Sequence, residues 1–176
     1  MARSLEPLVV GKVIGDVVDM FSPAAEFTVQ YGPKQVTNGC KIKPSAAADK
    51  PKVQILGSRV PSSHYTLVMV DPDAPSPSEP TLREWLHWVV VDIPEGLDAT
   101  KGREVVPYVG PQPPTGIHRY VFVLFRQRDP TMTKVHLSED RSNFSTRQFA
   151  SDHQFGLPVA ALYFNSQKEP ATRKRT

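Results

Sequence analysis

A chain of 176 residues that is 39% hydrophobic, with a single cysteine, is long enough for one continuous core and cannot close an internal disulfide. Cys40 suits a reducing compartment, no run reaches membrane-spanning length, and the first apolar stretch is broken by Gly11 and Lys12, too soon for a secretory segment. The net charge of +3 resides in the last nine residues, where Lys168, Arg173, Lys174 and Arg175 oppose Glu169; the rest is neutral, which excludes a DNA-binding domain.

These bounds predict one domain over residues 1–170 and a basic flexible tail over 171–176. The tail reads as a solvated end or as a mild nuclear-import, acidic-partner or membrane-surface patch. Leu8, Val9, Val13, Val17 and Phe21 approximate a helical stripe from Leu8 to Phe21, weakened by Gly11 and Gly15. From Phe27 the period becomes two. Strands are predicted at Phe27–Tyr31, around Val53 and Ile55, and at Tyr65–Val70, Trp85–Ile93, Val105–Val109 and Tyr120–Phe125. Most of the 18 prolines and 10 glycines fall between them, as in a mainly β, antiparallel protein with long loops. One helix follows Asn143-Phe144-Ser145, capped by Ser145 or Thr146 and stopped by Gly156 and Pro158; Pro158–Asn165 then reads as a last strand. The sequon at Asn143 is read as structural, since no export signal would bring it to the glycosylation machinery.

Asp71-Pro72-Asp73-Ala74-Pro75-Ser76-Pro77-Ser78-Glu79-Pro80 packs four prolines and three carboxylates directly after an apolar strand. Prolines stop helix and ladder alike, so this rigid loop presents its carboxylates at the mouth of a sheet. Strict alternation places Trp85, His87, Val89 and Val91 on one strand face and Leu86, Trp88 and Val90 on the other. It likewise groups His118 with Tyr120, and Asp71 with Tyr65, Leu67 and Met69. Three strands thereby converge Asp71, Asp73, His87, His118, Tyr120 and Trp85 on one pocket. Imidazoles oriented by carboxylates suit a small anion such as phosphate, and Trp85 with a carboxylate suits an ammonium group. Phosphate affinity is expected to be weak and to rise as pH falls through ~6.5. A metal is the competing reading, but no close-spaced ligand pair anchors one, so no metal is expected. No nucleophile elbow and no glycine-rich phosphate loop occurs, and Cys40 has no nearby base. No catalytic residue is predicted, and turnover is not expected.

Asp71-Pro72-Asp73-Ala74-Pro75-Ser76, Arg83-Glu84-Trp85-Leu86-His87-Trp88 and Gly116-Ile117-His118-Arg119, in this order and spacing, resemble the signature of the phosphatidylethanolamine-binding protein family. Tyr65–Val70, Asn143-Phe144-Ser145-Thr146-Arg147 and Gly156–Ala160 resemble its plant branch, and Trp85 and the basic ending resemble the Mother-type members. The resemblance implies a large central antiparallel sheet, a smaller second sheet and a short helix near the C-terminus. It implies an anion or phospholipid-headgroup pocket built by Asp71, Asp73, His87 and His118, with Trp85, Pro111 and Tyr120 around it. It implies a cofactor-free, monomeric adaptor of cytoplasm and nucleus, concerned with seed germination, dormancy and hormone signalling. A headgroup carrier or a kinase or protease inhibitor is the alternative.

The implied partners are bZIP transcription factors, met through an external loop that includes Arg128, Lys134, Asp140 and Ser142. That loop is two residues longer than in the floral promoter. The positions matching the promoter's 14-3-3 surface are Ser62, Lys101 and Arg128. The first has lost a basic anchor and the second has exchanged an aromatic ring for a cation, so direct 14-3-3 binding is expected to be weak or absent.

Overall fold

The computed structural model describes residues 5–58, 62–135 and 137–170. The basic tail over 171–176 lies outside the described residues. A six-stranded sheet dominates, in the order β3-β9-β8-β5-β6-β7: β3 (Cys40–Lys41), β5 (His64–Asp71), β6 (Trp85–Pro94), β7 (Arg103–Val106), β8 (Ile117–Arg126) and β9 (Ala160–Gln167). All its pairings are antiparallel except β3 with β9. A three-stranded sheet, β2-β1-β4, is formed by β1 (Ala25–Tyr31), β2 (Lys34–Gln35) and β4 (Lys52–Ser58).

The central strands read as unbroken apolar runs because both faces of the large sheet are covered. Tyr65, Leu67, Met69, Tyr120, Phe122 and Leu124 meet the small sheet through Phe27, Val29, Val53 and Ile55. Val68, Val70, Val121, Val123 and Phe125 meet Leu8, Val13, Val17, Phe21 and Phe149 on the opposite side. β1 alternates buried and exposed positions, as a strand with water on one face must.

The helical stripe predicted from Leu8 to Phe21 does not form as one helix. α1 spans Glu6–Val10, and α2 (Val13–Asp16) is a single turn interrupted by non-helical Ile14 and Gly15. Two features break the rod. Lys12 is left-handed, at φ 59°, and Gly11 sits where an added Cβ would clash with the Tyr163 hydroxyl. The strand predicted over Val105–Val109 ends at Val106, before Pro107, and Val109 instead donates its N–H to the His87 carbonyl at 3.0 Å. The last strand is displaced two residues from its predicted limits. α3 (Thr146–Asp152) stands where expected, with the Ser145 side chain accepting from the Gln148 N–H at 3.1 Å.

Strict alternation also fails along β6. Leu86 opposes Val70 but Trp88 opposes Met69, so His87 is an extra residue in a bulge. Trp88 and Val90 consequently face the small sheet, while Leu86, Val89 and Val91 face α1 and α3. The predicted grouping of Val89 and Val91 with His87 is therefore wrong, although Trp85 and His87 do reach the same cavity.

Candidate ligand pocket

A cavity of about 210 Å³ opens at the end of β5, β6 and β8, lined in part by Asp71, Trp85, His87, His118 and Tyr120. β5 and β8 pair without a register shift from Tyr65 to Val70, so Asp71, at the strand's last position, reaches the imidazole of His118. Asp71 is saturated. One oxygen accepts from the Asp73 N–H and the other from His118 Nδ1, both at 2.7 Å, and the Tyr120 hydroxyl adds a third bond.

His118 also directs Nε2 to the Thr115 carbonyl at 2.9 Å. A carbonyl and a carboxylate both accept, so the two bonds together define an imidazolium. Burial pulls its pKa down, but Asp71 and the Thr115 carbonyl outweigh burial and hold it above 6.5. His87 differs. Its Nδ1–H donates to the Val109 carbonyl at 2.5 Å, and burial lowers its pKa to about 4, so the ring is neutral and Nε2 remains for a ligand. The rings of Trp85 and His87 meet edge-on at 4.7 Å, and His87 meets Tyr120 in the same way at 5.2 Å.

The other predicted pocket residues are placed differently. Asp73 turns away from the cavity and binds Arg119, accepting from Nη2 at 2.7 Å, from Nε at 2.9 Å and from its backbone N–H at 2.8 Å. Arg119 and Arg83 both also reach Asp16, at 2.9 and 3.6 Å, which ties the N-terminal segment to the acidic loop. Burial raises the Asp73 pKa, but Arg119 overrides it and the carboxyl stays below its ordinary range. Pro111 is buried beneath the loop while its neighbours Gly110 and Gln112 line the cavity.

Sequence reasoning missed Arg141. Its guanidinium stacks on Trp85 at 5.5 Å and donates to the carbonyls of Leu86, His87 and Pro107 at 3.2, 3.1 and 2.9 Å. One face of Trp85 is thus already occupied by a cation. Glu84 was missed as a distinct group as well. It is 5% exposed, it accepts from the backbone and hydroxyl of Thr146, and burial lifts its pKa to about 7 against the pull of Thr146, Arg147 and Arg83.

The external loop offers Arg128, Lys134 and Asp140 to solvent, with Ser142 half-buried. Arg128 reaches Gln154 on the far side of α3 at 3.2 Å, and Asp140 accepts from the Ser142 N–H and hydroxyl at 2.9 and 2.8 Å. Ser62 and Lys101 are exposed. Among the described residues no group of three His, Cys, Asp or Glu is placed to hold a metal ion, and no helix is long and apolar enough to cross a membrane.

A mainly β protein of two unequal sheets, with an aspartate–imidazole pocket at the end of the larger one, is the class that fold and site define. The family model for phosphatidylethanolamine-binding protein matches residues 21–164. Protein MOTHER of FT and TFL1 homolog 2 of Oryza sativa subsp. japonica is 54% identical, covering 99% of this chain and 100% of that one. Protein TERMINAL FLOWER 1 of Arabidopsis thaliana is 50% identical, covering 98% and 97%. Carboxypeptidase Y inhibitor, crystallised with its cognate proteinase, superposes with a TM-score of 0.84 at 25% identity, covering 94% and 95%. The chain belongs to the phosphatidylethanolamine-binding protein family, in its plant branch of regulatory, non-catalytic proteins related to regulators of flowering and seed timing.

Proposed function

We propose that this chain is a non-enzymatic signalling adaptor of seed germination, dormancy and abscisic acid or gibberellin responses. It works in cytoplasm and nucleus as a monomer, and meets bZIP transcription factors through the external loop of Arg128, Lys134, Asp140 and Ser142. The pocket of Asp71, Trp85, His87, His118 and Tyr120 receives a phosphate or a phospholipid headgroup.

The observation that carries this reading is Arg141, which ends the external loop and clasps the carbonyls of the pocket strand. Loop and pocket share a wall, so a ligand beside Trp85 acts on the surface a partner would read. Binding is weak because the pocket is electrically balanced: the His118 imidazolium faces Asp71, and His87 is neutral. To donate to a phosphate oxygen, His87 must take up a proton on Nε2, so binding is coupled to protonation.

Calorimetry with inorganic phosphate and phosphoethanolamine, in buffers of different ionisation heat at pH 6, tests the pocket. Proton uptake lost in His87→Ala is expected, and binding without uptake refutes the coupling. Recombinant seed bZIP factors test the adaptor: binding reduced by Arg128→Glu or Asp140→Lys supports it. A second reading, an inhibitor or headgroup carrier acting through the pocket itself, draws on the likeness to the carboxypeptidase Y inhibitor. Inhibition of a protease that His87→Ala abolishes while bZIP factors fail to bind would favour it.

A further inference from the structure

A second concavity, of about 290 Å³, lies where β8 begins and β9 ends, and neither the pocket nor the external loop uses it. Its walls combine Ile42, Ile117 and Pro170 with Lys41, Lys43 and Lys168. Ile117 is 48% exposed, an apolar side chain left to water beside three cations. Glu169 is the one carboxylate in the lining, and it is engaged, accepting from the Ser45 N–H at 2.7 Å. Ser166, also in the wall, is 3% exposed, and its hydroxyl has no hydrogen-bond partner among the described residues.

An apolar floor with a cationic rim is complementary to a molecule that is apolar along its body and anionic at one end. Lysine suits such a rim, since its stem packs on apolar surface while the ammonium stays at the mouth. A free inorganic anion would leave Ile117 uncovered, and a neutral hydrocarbon would leave the lysines unpaired. We propose that this groove binds an anionic amphiphile, an apolar group bearing a terminal phosphate or carboxylate, at a site separate from the pocket beside Trp85. The two sites are neighbours on one strand pair: Ile117 opposes Gln167, and His118 opposes Ser166.

The test is titration of the full chain with monomeric decyl phosphate, followed by calorimetry and by amide chemical shifts. Decanol, inorganic phosphate, and vesicles of phosphatidylcholine with or without phosphatidic acid are the comparisons. The expected result is saturable binding of decyl phosphate, at least tenfold tighter than either decanol or inorganic phosphate at this site. Shifts should concentrate at residues 41–43, 117 and 165–170. The variant Lys41→Glu/Lys43→Glu/Lys168→Glu alters exposed side chains only, so it should fold and lose at least tenfold in affinity. Capture by acidic vesicles that the same substitutions weaken would identify a membrane lipid as one source of the ligand. Shifts confined to Trp85, His87 and Tyr120, or affinity unchanged in the triple variant, would overturn the proposal. So would capture by acidic vesicles without any binding of the monomeric amphiphile, which would indicate a diffuse charged surface.

Discussion

Replacing Asp73 separates a structural carboxylate from a ligand-binding one. In the folded chain its oxygens take two guanidinium bonds and a backbone bond from Arg119 and lie 3.5 Å from Arg83, with the side chain only 6% exposed. Removing one partner of a buried pair typically costs ~3–5 kcal/mol. Here Asp16 remains 2.9 Å from Arg119 Nη1, and the Gly11 carbonyl accepts from the same nitrogen, so the lower end applies. Asp73→Ala should lose about 3 kcal/mol at pH 7 and Asp73→Asn, which keeps an acceptor, about 2 kcal/mol. Domains of this size are stable by ~5–15 kcal/mol, so both variants should remain folded. The folded pKa lies below the ordinary value of 3.8; the stabilisation is therefore present above that value and lost as pH falls through the folded pKa. Urea unfolding at pH 7 and at pH 3 should show the gap between parent and variant closing in acid. Phosphate affinity at pH 6 should change less than about threefold, because Asp73 does not line the cavity. A stability loss under ~1 kcal/mol, or a tenfold fall in phosphate affinity, would refute the reasoning and return Asp73 to the pocket.

Phosphate affinity should fall as pH rises through the raised pKa of His118, and should gain again near pH 4, where His87 ionises in the empty pocket; titration calorimetry from pH 4 to 8 should show both limbs. A buried neutral His87 contributes stability above pH 6.5 that is lost as pH falls toward about 4, so His87→Gln should flatten the acid limb of an unfolding-versus-pH curve. Glu84 has the opposite sign: its raised pKa stabilises the fold below 4.5 and that contribution is lost as pH rises through about 7, so Glu84→Gln should gain up to about 3 kcal/mol over the parent at pH 8. Direct binding to a 14-3-3 protein should be weaker than micromolar by fluorescence anisotropy; tight binding that Arg128→Ala reduces would show that the substitutions at Ser62 and Lys101 leave that surface intact.

The sheet was legible because it is made of long apolar runs bounded by prolines, and β5 and β8 keep their phase from end to end. The convergence of Asp71, His118 and Tyr120 followed from that phase alone. β6 carries no signal in sequence for the bulge at His87, since the extra residue lies between two tryptophans that each fit a strand. Its effect is to put Trp88 on the face that alternation implies for Val89 and Val89 on the opposite one. Asp73 was misplaced because the acidic loop reveals its charge but not the direction of its turn. The clue lay elsewhere: Arg119 stands between Ile117 and Val121, a cation in an apolar phase that required a buried carboxylate. Arg141 carried no periodic signal, as its partners are backbone carbonyls 34 to 55 positions away.

Those carbonyls make the solvent face of the external loop an interchangeable surface. At one end Gln127 is fixed by Thr66, by both the backbone and the side chain of Asp92, and by the Asp129 carbonyl. At the other, Arg141 directs hydrogen bonds to main-chain carbonyls, and the Leu86 N–H returns a bond to the Arg141 carbonyl at 2.8 Å. Between these two stations Met132 is held by Asp92 and Arg103, and Val135 and Leu137 pack against the core, so the exposed Thr133, Lys134 and Glu139 are free to change chemistry without renegotiating the attachment. Exchanging those exposed residues alone therefore changes what a partner meets while leaving the pocket wall in place.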